Sequence, residues 1–301
     1  MQSSLSDAQQ AVLSESTRLV EACPGAGKTR AIVARFAEQA SKGSRAAALL
    51  SFTNAAVDEA VTRCAHIPHV TQPPNFIGTF DRFLRRFVVT PVLVRARGKP
   101  PRYVDSWSDL PASGFTTMVR HRDVRGSGLS LANFRVDIDA NLHYPEDPPQ
   151  IDRAYVYQLE QSGYRPADLA DYAATLIKRL LDAFIYDCDF ARLKALMILR
   201  DTAECGWLHR RLATRFAEII VDEFQDCSAI EHEILHQLEG LGIRVLVVAD
   251  PDQAIYEFRQ AAPRSYVEYR GRLVPEQIVY LDENLAFFTG DLHSAIASAI
   301  D

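Results

Sequence analysis

The stretch of sequence that decides the fold is Ala22-Cys23-Pro24-Gly25-Ala26-Gly27-Lys28-Thr29. An apolar run typical of a buried strand precedes it at residues 18–23, and an amphipathic helical pattern follows it at residues 29–40. Glycines between a strand and a helix let backbone N–H groups turn toward phosphate oxygens, and the helix N-terminus favours an anion. The spacing predicts that Lys28 reaches the β- and γ-phosphates and that the Thr29 hydroxyl ligates Mg²⁺. Ala22 stands where the strict phosphate-loop pattern has glycine, so the alternative is an ordinary glycine-rich turn before a helix.

A second apolar strand ends in two adjacent acids, in the segment Ile219-Ile220-Val221-Asp222-Glu223-Phe224-Gln225-Asp226. Open α/β sheets bind ligands at the carboxyl ends of their strands. We therefore predict that Asp222 holds Mg²⁺, directly or through water, opposite Thr29. Glu223 is predicted to orient and deprotonate an attacking water. A helix N-terminus that favours acids would explain Asp226 but not the adjacent pair.

A third apolar strand, at residues 242–249, leads into Asp250-Pro251-Asp252-Gln253-Ala254-Ile255-Tyr256-Glu257-Phe258-Arg259. The amide of Gln253 can sense a γ-phosphate, while Phe258 offers a stacking face and Arg259 a nearby cation. Considered alone, Tyr256 and Phe258 are better explained as core aromatic residues.

Strands and helices alternate in both end portions of the chain. Further strands are predicted at residues 46–52, 76–77, 216–221 and 277–281, with helices at residues 55–64 and 230–238. Strands that are apolar throughout belong in a parallel sheet covered on both faces. We predict an α/β fold in which residues 1–94 and 206–301 form a parallel sheet of about five or more strands with helices on both faces. Residues 95–205 are predicted to form an inserted, mainly helical accessory domain.

The composition excludes several classes of protein. The 301 residues include 48% hydrophobic and 24% charged side chains with a formal net charge of -6, which fits a folded globular protein and not a disordered chain. Five widely spaced cysteines without a CxxC pair argue against a disulfide framework and a structural zinc site. The sequence shows neither a membrane span nor a signal-peptide pattern, so we expect a cytoplasmic protein that has no membrane partner.

One region is basic although the chain as a whole is acidic. Seven basic residues and no acid lie between residues 82 and 102. These residues are Arg82, Arg85, Arg86, Arg95, Arg97, Lys99 and Arg102, and they are followed by Arg120, Arg122 and Arg125. The asymmetry favours a strip that binds nucleic-acid phosphates; the alternative is a solvated face whose charges pair with the acidic C-terminal half.

These motifs resemble those of the superfamily 1 helicases of the UvrD/Rep type. Three further segments similar to family motifs are Leu5-Ser6-Asp7-Ala8-Gln9, Ser51-Phe52-Thr53-Asn54-Ala55-Ala56 and Gly78-Thr79-Phe80-Asp81-Arg82-Phe83. The resemblance implies a RecA-like domain that uses ATP and Mg²⁺, with Lys28, Glu223 and Gln253 in catalysis and Gln9 on the adenine edge. The implied nucleotide-binding set is Gln9, Pro24, Gly25, Ala26, Gly27, Lys28, Thr29, Arg30 and Gln253, with Thr29 and Asp222 on the metal. The implied DNA-binding set is Phe52, Thr53, Asn54, Thr79, Phe80, Phe258 and Arg259.

The chain departs from the family pattern in two places. After the strand at residues 277–281 the family has an aromatic residue that stacks on adenine and an arginine that contacts the γ-phosphate. Here Asn284 is kept, but Leu285 and Ala286 follow it. The sequence also ends at Asp301, before a second RecA-like domain and its arginine finger. The resemblance therefore implies that another polypeptide or a further portion of the protein supplies that domain.

Three functional hypotheses remain open at this point. The first is the motor domain of an ATP-dependent DNA helicase, a DNA-stimulated ATPase that couples hydrolysis to single-stranded DNA binding and translocation. The second is a module that binds ATP and single-stranded DNA without translocating, within a larger complex. The third is a P-loop kinase for a small molecule, which explains Lys28 and Thr29 but none of the other motifs.

Overall fold

The computed structural model describes residues 5–43, 45–65, 67–111, 114–250 and 263–281. These residues divide into two compact units. The first unit contains the described residues up to Phe83 and from Gly206 onward, and the second unit is Leu84–Cys205. No helix within the described ranges is long and apolar enough to cross a membrane. The assignment of the units to a motor domain and an accessory domain stays a prediction.

The strands of the described residues are numbered in chain order. They are β1 (Leu19–Ala22), β2 (Ala46–Ser51), β3 (Phe76–Thr79), β4 (Arg102–Tyr103), β5 (Met118–Val119), β6 (Leu129–Ser130), β7 (Arg135–Val136), β8 (Leu142–His143), β9 (Ile185–Tyr186), β10 (Phe216–Val221), β11 (Arg244–Ala249) and β12 (Ile278–Leu281).

The α-helices of the described residues are numbered in the same way. They are α1 (Asp7–Ala11), α2 (Lys28–Ser41), α3 (Asn54–Cys64), α4 (Phe80–Phe83), α5 (Thr90–Arg97), α6 (Arg153–Gln161), α7 (Ala170–Asp182), α8 (Cys188–Arg200), α9 (Thr202–Arg215), α10 (Ala229–Gly240) and α11 (Pro263–Gly271). Leu84–Val89 is π-helical.

Six strands of the first unit form one parallel sheet in the order β12-β1-β11-β10-β2-β3. The predicted α/β fold with a parallel sheet is confirmed, and each predicted strand lies within two residues of its expected bounds. Because all six strands run in the same direction, their carboxyl ends meet at one edge of the sheet. β11 lies between β1 and β10, so the loops that follow these three strands are neighbours at that edge.

The four inner strands of the sheet, β1, β11, β10 and β2, are mostly apolar and are buried on both faces. Ile32 and Phe36 of α2 cover one face, where they belong to one cluster with Leu49 and alternate residues of the neighbouring strands. Leu50 and Ile219, which point to the opposite face, are also fully buried. Each fully buried side chain of this size contributes about 1.5–3 kcal/mol to folding. The apolar strands therefore supply the rigid frame on which the loops at the carboxyl edge are built.

One ion pair is fully buried between α2 and β10. The Arg35 guanidinium binds both Glu218 carboxylate oxygens, Nη2 to Oε1 at 2.7 Å and Nε to Oε2 at 3.0 Å. Arg35 Nη1 also donates to the Leu13 carbonyl, and Arg244 Nε lies 3.5 Å from Glu218 Oε1. Such bidentate pairs are short and directional. This pair therefore fixes the angle between α2 and the strand that carries the acidic residues.

The second unit has its own apolar core, which includes Trp107 and Leu159. Its short strands pair as β4 with β9 in parallel, and as β5 with β6 and β7 with β8 in antiparallel hairpins. Asp152 is buried in this unit and accepts hydrogen bonds from Tyr144 Oη at 2.7 Å and Asn133 Nδ2 at 2.8 Å. The buried Asp152 carboxylate therefore has hydrogen-bond donors from two loops of the second unit and holds those loops together.

Candidate active site

The loop between β1 and α2 has the backbone conformation that a phosphate cradle requires. Gly25 and Gly27 adopt φ values of 81° and 77°, in the left-handed region that favours glycine. Gly27 is the N-cap of α2 and places no side-chain acceptor on the first turn of the helix. The N-terminal N–H groups of α2, with the positive end of its dipole, are therefore available to an anion.

Lys28 meets the two predicted acidic residues at the carboxyl edge of the sheet. Its Nζ lies 2.7 Å from Glu223 Oε1 and 3.7 Å from Asp222 Oδ1. Lys28 and Glu223 are 195 residues apart in the sequence. The parallel sheet brings them together because β1 and β10 end at the same edge, on either side of β11. The residue types predicted for phosphate binding and catalysis thus converge on one point.

Burial and charge act against each other within this cluster. Burial raises the pKa of Asp222 to about 6, and the nearby Lys28 ammonium offsets only part of that effect. Burial alone would lower the pKa of Lys28, but Asp222 and Glu223 outweigh it and raise that pKa above its ordinary value. Lys28 is therefore a cation at neutral pH. The charged form of Asp222 is energetically unfavourable, because the carboxylate is buried. A bound cation beside Asp222 would relieve that cost.

Glu223 has an unusual backbone that hydrogen bonds hold in place. Its φ of 58° and ψ of 42° lie in the left-handed region, which costs roughly 1–2 kcal/mol for a residue with a side chain. Its main-chain N–H donates to Asp222 Oδ1 at 3.0 Å, and its carbonyl accepts from the Asp226 N–H at 3.0 Å. Strained residues of this kind persist where the surroundings over-determine them, and they cluster at functional sites.

The residues predicted to hold Mg²⁺ lie on one small cavity. Thr29, Ser51 and Asp222 are among the residues that line it. A hydroxyl and a carboxylate are the hard oxygen donors that Mg²⁺ prefers, so the donor set fits this ion. No group of three or more His, Cys, Asp or Glu residues within the described ranges is arranged to hold a metal. Mg²⁺ in such a site takes its other ligands from phosphates and water.

Gln9, predicted to bind adenine, contacts the phosphate loop. It lies on α1 with 1% of its surface exposed, and its Nε2 donates to the Ala26 carbonyl at 3.4 Å. Its Oε1 accepts from the Ser6 N–H at 3.2 Å as part of a capping box. The helix cap therefore holds Gln9 against the loop, and its contact with adenine stays a prediction.

Two aromatic residues predicted to bind DNA stack on one another after β2 and β3. The rings of Phe52 and Phe80 are 5.6 Å apart at 24°. Phe80 is 1% exposed, so Phe52 is the ring of this pair that reaches the surface, and Phe80 packs behind it.

Polar residues adjoin Phe52 and Phe80 in the sequence. Thr53 Oγ1 accepts from the Ala56 N–H as the cap of α3, and Thr79 Oγ1 accepts from the Arg82 N–H. Asn54, at the start of α3, is exposed. These polar groups lie at the carboxyl edge of the sheet, where β2 is the neighbour of β10.

Three residues with predicted roles, Gln253, Phe258 and Arg259, lie outside the described residues. Asn284 and Ala286, where the chain departs from the family pattern, lie outside them as well. The described chain reaches Asp250 at the end of β11 and resumes at Pro263, so the roles of this segment stay predictions.

Two arginines of the basic strip, Arg85 and Arg97, make contacts within the second unit. Arg85 Nη2 donates to the Val104 carbonyl at 3.2 Å and lies 3.0 Å from Cys188 Sγ. Arg97 Nη1 donates to the Asp182 carbonyl at 3.2 Å, and its guanidinium lies over the Phe184 ring. These two arginines make structural contacts that the charge pattern alone did not reveal.

The geometry described here coincides with a match to a known protein family. Residues 5–273 match the UvrD/REP helicase N-terminal domain. This chain belongs to that family. Membership covers the phosphate loop, the acidic pair and the Phe52 region in one alignment, so the resemblance inferred from the separate motifs is confirmed. The small-molecule kinase hypothesis is disfavoured for the same reason.

Relatives in this family are longer than the present chain. DNA helicase II of Escherichia coli strain K12 is 26% identical over 309 residues, which cover 98% of this chain and 40% of that protein. The ATP-dependent DNA helicase srs2 of Schizosaccharomyces pombe is 25% identical over 287 residues, or 87% of this chain and 30% of the relative. A shorter match to the ATP-dependent DNA helicase Rep of Salmonella typhimurium is 31% identical over 77 residues, or 26% of this chain and 11% of that helicase. The chain thus spans less than half the length of the curated relatives it matches.

Two sets of residues that shape the site have no role predicted from the sequence. Gln225 follows the acidic pair and is nearly buried, where it binds Glu223. Arg35 and Glu218 form the buried pair that joins α2 to β10. Gln225 lies in the polar segment after β10 and gives no signal of its burial in the sequence. The signal for Arg35 and Glu218 is a charged residue inside an otherwise apolar helix face or strand. Such a residue needs a buried partner, although the pattern does not say which one.

Proposed function

We propose that this chain is the ATP-binding motor portion of a DNA helicase and that it couples Mg-ATP hydrolysis to the binding and translocation of single-stranded DNA. The observation that carries the proposal is the convergence of Lys28 with Glu223 and Asp222 at the end of a glycine-rich loop. A second RecA-like domain, in the same protein or on a partner polypeptide, completes the motor in this proposal. Unwinding by this chain alone is not proposed.

Phosphate binding uses the loop and the helix that follows it. The N–H groups between Gly25 and Thr29 surround the phosphate oxygens, with Pro24 and Ala26 in the loop and Arg30 in the first turn of α2. Lys28 then exchanges its 2.7 Å contact with Glu223 for the β- and γ-phosphates. This exchange is favourable because a phosphate brings more negative charge to the ammonium than one carboxylate does. It also releases Glu223 Oε1.

Thr29 and Asp222 are the residues that would hold Mg²⁺, which when bound supplies positive charge to the phosphate oxygens of the transition state. The raised pKa of Asp222 supports this role, since the buried carboxylate lacks full charge compensation. Thr29 lines the same cavity as Asp222. The two residues approach from α2 and β10, which the Arg35–Glu218 pair holds together.

Glu223 is the proposed general base. Once Lys28 has turned to the phosphates, Glu223 Oε1 can accept a proton from the attacking water while Oε2 stays bound to Gln225. The Gln253 amide is proposed to sense the γ-phosphate from the segment after β11, and Gln9 is proposed to bind the adenine edge. Proton transfer of this kind contributes typically 10²–10⁴-fold to a rate.

Single-stranded DNA is proposed to bind beside the nucleotide, on the loops that follow β2 and β3. Phe52 offers a ring on which a base can stack, with Phe80 as its support. Thr53, Asn54 and Thr79 supply polar groups next to that ring. Phe258 and Arg259 are proposed to extend the surface from the segment after Asp250. Nucleotide and DNA would then share the same edge of one sheet.

The test of this function is Mg-ATP turnover with and without single-stranded DNA. We expect DNA to stimulate turnover, and Glu223→Gln to lower it at least 100-fold while ATP still binds. Glu59→Gln, which changes an exposed glutamate on α3, is the matched control and should behave as the parent chain does. Turnover that is the same in Glu223→Gln and in the control would overturn the assignment of Glu223.

A second candidate function is a nucleotide-gated DNA-binding module. The observation that favours it is the departure from the family pattern at Leu285 and Ala286, where an aromatic residue and an arginine are expected. It predicts DNA affinity that depends on ATP, without measurable turnover even when candidate partners are added. DNA-stimulated turnover that Glu223→Gln abolishes would remove this candidate.

A further inference from the structure

Gln225 bridges Glu223 and the end of β11. Its Nε2 donates to Glu223 Oε2 at 2.7 Å, and its Oε1 accepts from the Asp250 main-chain N–H at 2.9 Å. The side chain is 5% exposed. The orientation of the amide is fixed, because a flipped amide would set its NH₂ group against the Asp250 N–H and its oxygen against a carboxylate. Gln225 is therefore held at both ends of its amide.

The two oxygens of the Glu223 carboxylate have different partners. Oε1 faces Lys28 at 2.7 Å, and Oε2 faces Gln225 at the same distance. In the proposed mechanism Lys28 leaves for the phosphates, whereas nothing in that mechanism displaces Gln225. Gln225 therefore keeps one oxygen occupied and leaves the other directed to the ligand side.

The bridge connects loops that leave neighbouring strands. Glu223 and Gln225 follow β10, and Asp250 follows β11, which is paired with β10 in the sheet. The segment that contains Gln253 departs from Asp250 along the chain. A displacement of the Asp250 main chain would therefore be transmitted through one amide to the Glu223 carboxylate.

We infer that Gln225 is a positioning residue that holds the Glu223 carboxylate in register with the Asp250 main chain at the end of β11. The inference rests on the proposed function and deepens it, because it names the contact that joins the general base to the neighbouring strand. Gln225 itself touches no reacting atom in this account.

Two substitutions of Gln225 distinguish its hydrogen bond with the Asp250 N–H from its hydrogen bond with the Glu223 carboxylate. Gln225→Glu keeps an acceptor for the Asp250 N–H but replaces the donor to Glu223 with a second carboxylate. Gln225→Ala removes both contacts. Gln237→Ala is the matched control, because Gln237 Nε2 also donates to a glutamate, Glu233 Oε1 at 2.9 Å, but on α10.

The first readout is hydrogen exchange of the Asp250 amide in the full chain, measured by NMR. We expect Gln225→Ala to accelerate this exchange at least tenfold, because the N–H loses its acceptor. Gln225→Glu and Gln237→Ala should leave it within threefold of the parent chain. An unchanged rate in Gln225→Ala would overturn the bridge, whether or not the protein hydrolyses ATP.

The second readout compares the rate of ATP hydrolysis at saturating ATP with the ATP affinity, measured with enzyme in excess so that slow turnover can be followed. We expect both Gln225 variants to lower the rate at saturating ATP at least tenfold while ATP affinity stays within threefold of the parent chain. A variant that had merely lost its fold would lose both quantities together. A parent-like rate at saturating ATP in both variants would overturn the positioning role.

Failure of the proposed function would give a different pattern. The parent chain would then show no ATP hydrolysis that depends on Glu223, while Asp250 exchange would still respond to Gln225→Ala. Failure of the present inference alone would leave Glu223-dependent hydrolysis intact in the Gln225 variants.

Discussion

At the scale of single residues, Asp222 carries most of the electrostatic cost of the site. It is buried beside Lys28 and Glu223, and its pKa is raised from 3.8 to about 6. Between these two values the folded protein holds a proton on Asp222 more tightly than the unfolded chain does. The free energy of unfolding therefore falls as the pH rises through this window, and Asp222 destabilises the fold at neutral pH.

The first prediction follows from the destabilising effect of the Asp222 charge at neutral pH. Asp222→Asn should raise the free energy of unfolding at pH 7 by on the order of 1–3 kcal/mol, because the buried charge is removed. The gain should shrink below about pH 6 and vanish near pH 4, and it can be measured by urea unfolding across that range. Asp58→Asn, on an exposed position of α3, is the control. A loss of stability at pH 7 in Asp222→Asn would contradict this account of the site.

A second prediction concerns the backbone at Gly27. Alanine there must adopt a φ near 77°, at a cost of about 1–2 kcal/mol in stability. Gly242, with a φ of 80° and open space around its Cα, is a matched position away from the loop. Gly242→Ala should lose similar stability and keep Mg-ATP affinity, whereas Gly27→Ala should lose both. Equal ATP affinity in the two variants, measured by titration, would argue against the loop as the phosphate cradle.

At the scale of elements, α2 and β10 are joined by the Arg35–Glu218 pair. Removing one partner of a buried ion pair leaves an uncompensated charge, and this is more costly than replacing both partners with apolar residues. Glu218 would keep only the Arg244 guanidinium at 3.5 Å. The pair therefore specifies how the helix of the phosphate loop sits against the strand of the acidic residues.

The third prediction tests that junction. Arg35→Met should lower the free energy of unfolding by about 3–5 kcal/mol, and adding Glu218→Leu should recover most of the loss. Arg63→Met, which breaks an exposed pair with Glu59 on α3, should change stability by less than about 1 kcal/mol. The free energy of unfolding of the three variants is compared with that of the parent chain by thermal or urea unfolding. A double variant that is no more stable than Arg35→Met would show that the pair is not the source of the loss.

The sequence predicted the elements of the sheet well and the contacts between distant side chains poorly. Runs of mostly apolar residues located all six strands of the sheet, and the pattern is clearest in the inner strands, which are buried on both faces. The phosphate loop was predictable because the glycines before Lys28 allow the left-handed backbone that the loop adopts. The pairing of Arg35 with Glu218 was not predictable, since a contact across 183 residues depends on the order of the strands. The contact of Gln225 with the Asp250 N–H, 25 residues further along, depends on the same order. The burial of Phe80 was missed because a motif gives a residue type and not its depth.

At the scale of the whole molecule, one sheet edge gathers the groups on which the proposed motor depends. The phosphate loop, the acidic pair and the Phe52 surface all follow strands of the same parallel sheet. Family membership extends over residues 5–273, and the relatives that share it are named as DNA helicases. The function of the chain therefore depends first on whether this edge binds Mg-ATP.

The most direct test of that claim is equilibrium binding of Mg-ATP to the parent chain, Lys28→Ala and Lys42→Ala. Lys42 follows the last turn of α2 and pairs with Glu38 on the surface, so its variant controls for the loss of a lysine near the same helix. Loss of charge-assisted bonds to phosphate costs about 1.5–3 kcal/mol, so we predict that Lys28→Ala binds roughly 10- to 100-fold more weakly. Lys42→Ala should bind as the parent does. Equal affinity in all three proteins would contradict the nucleotide site.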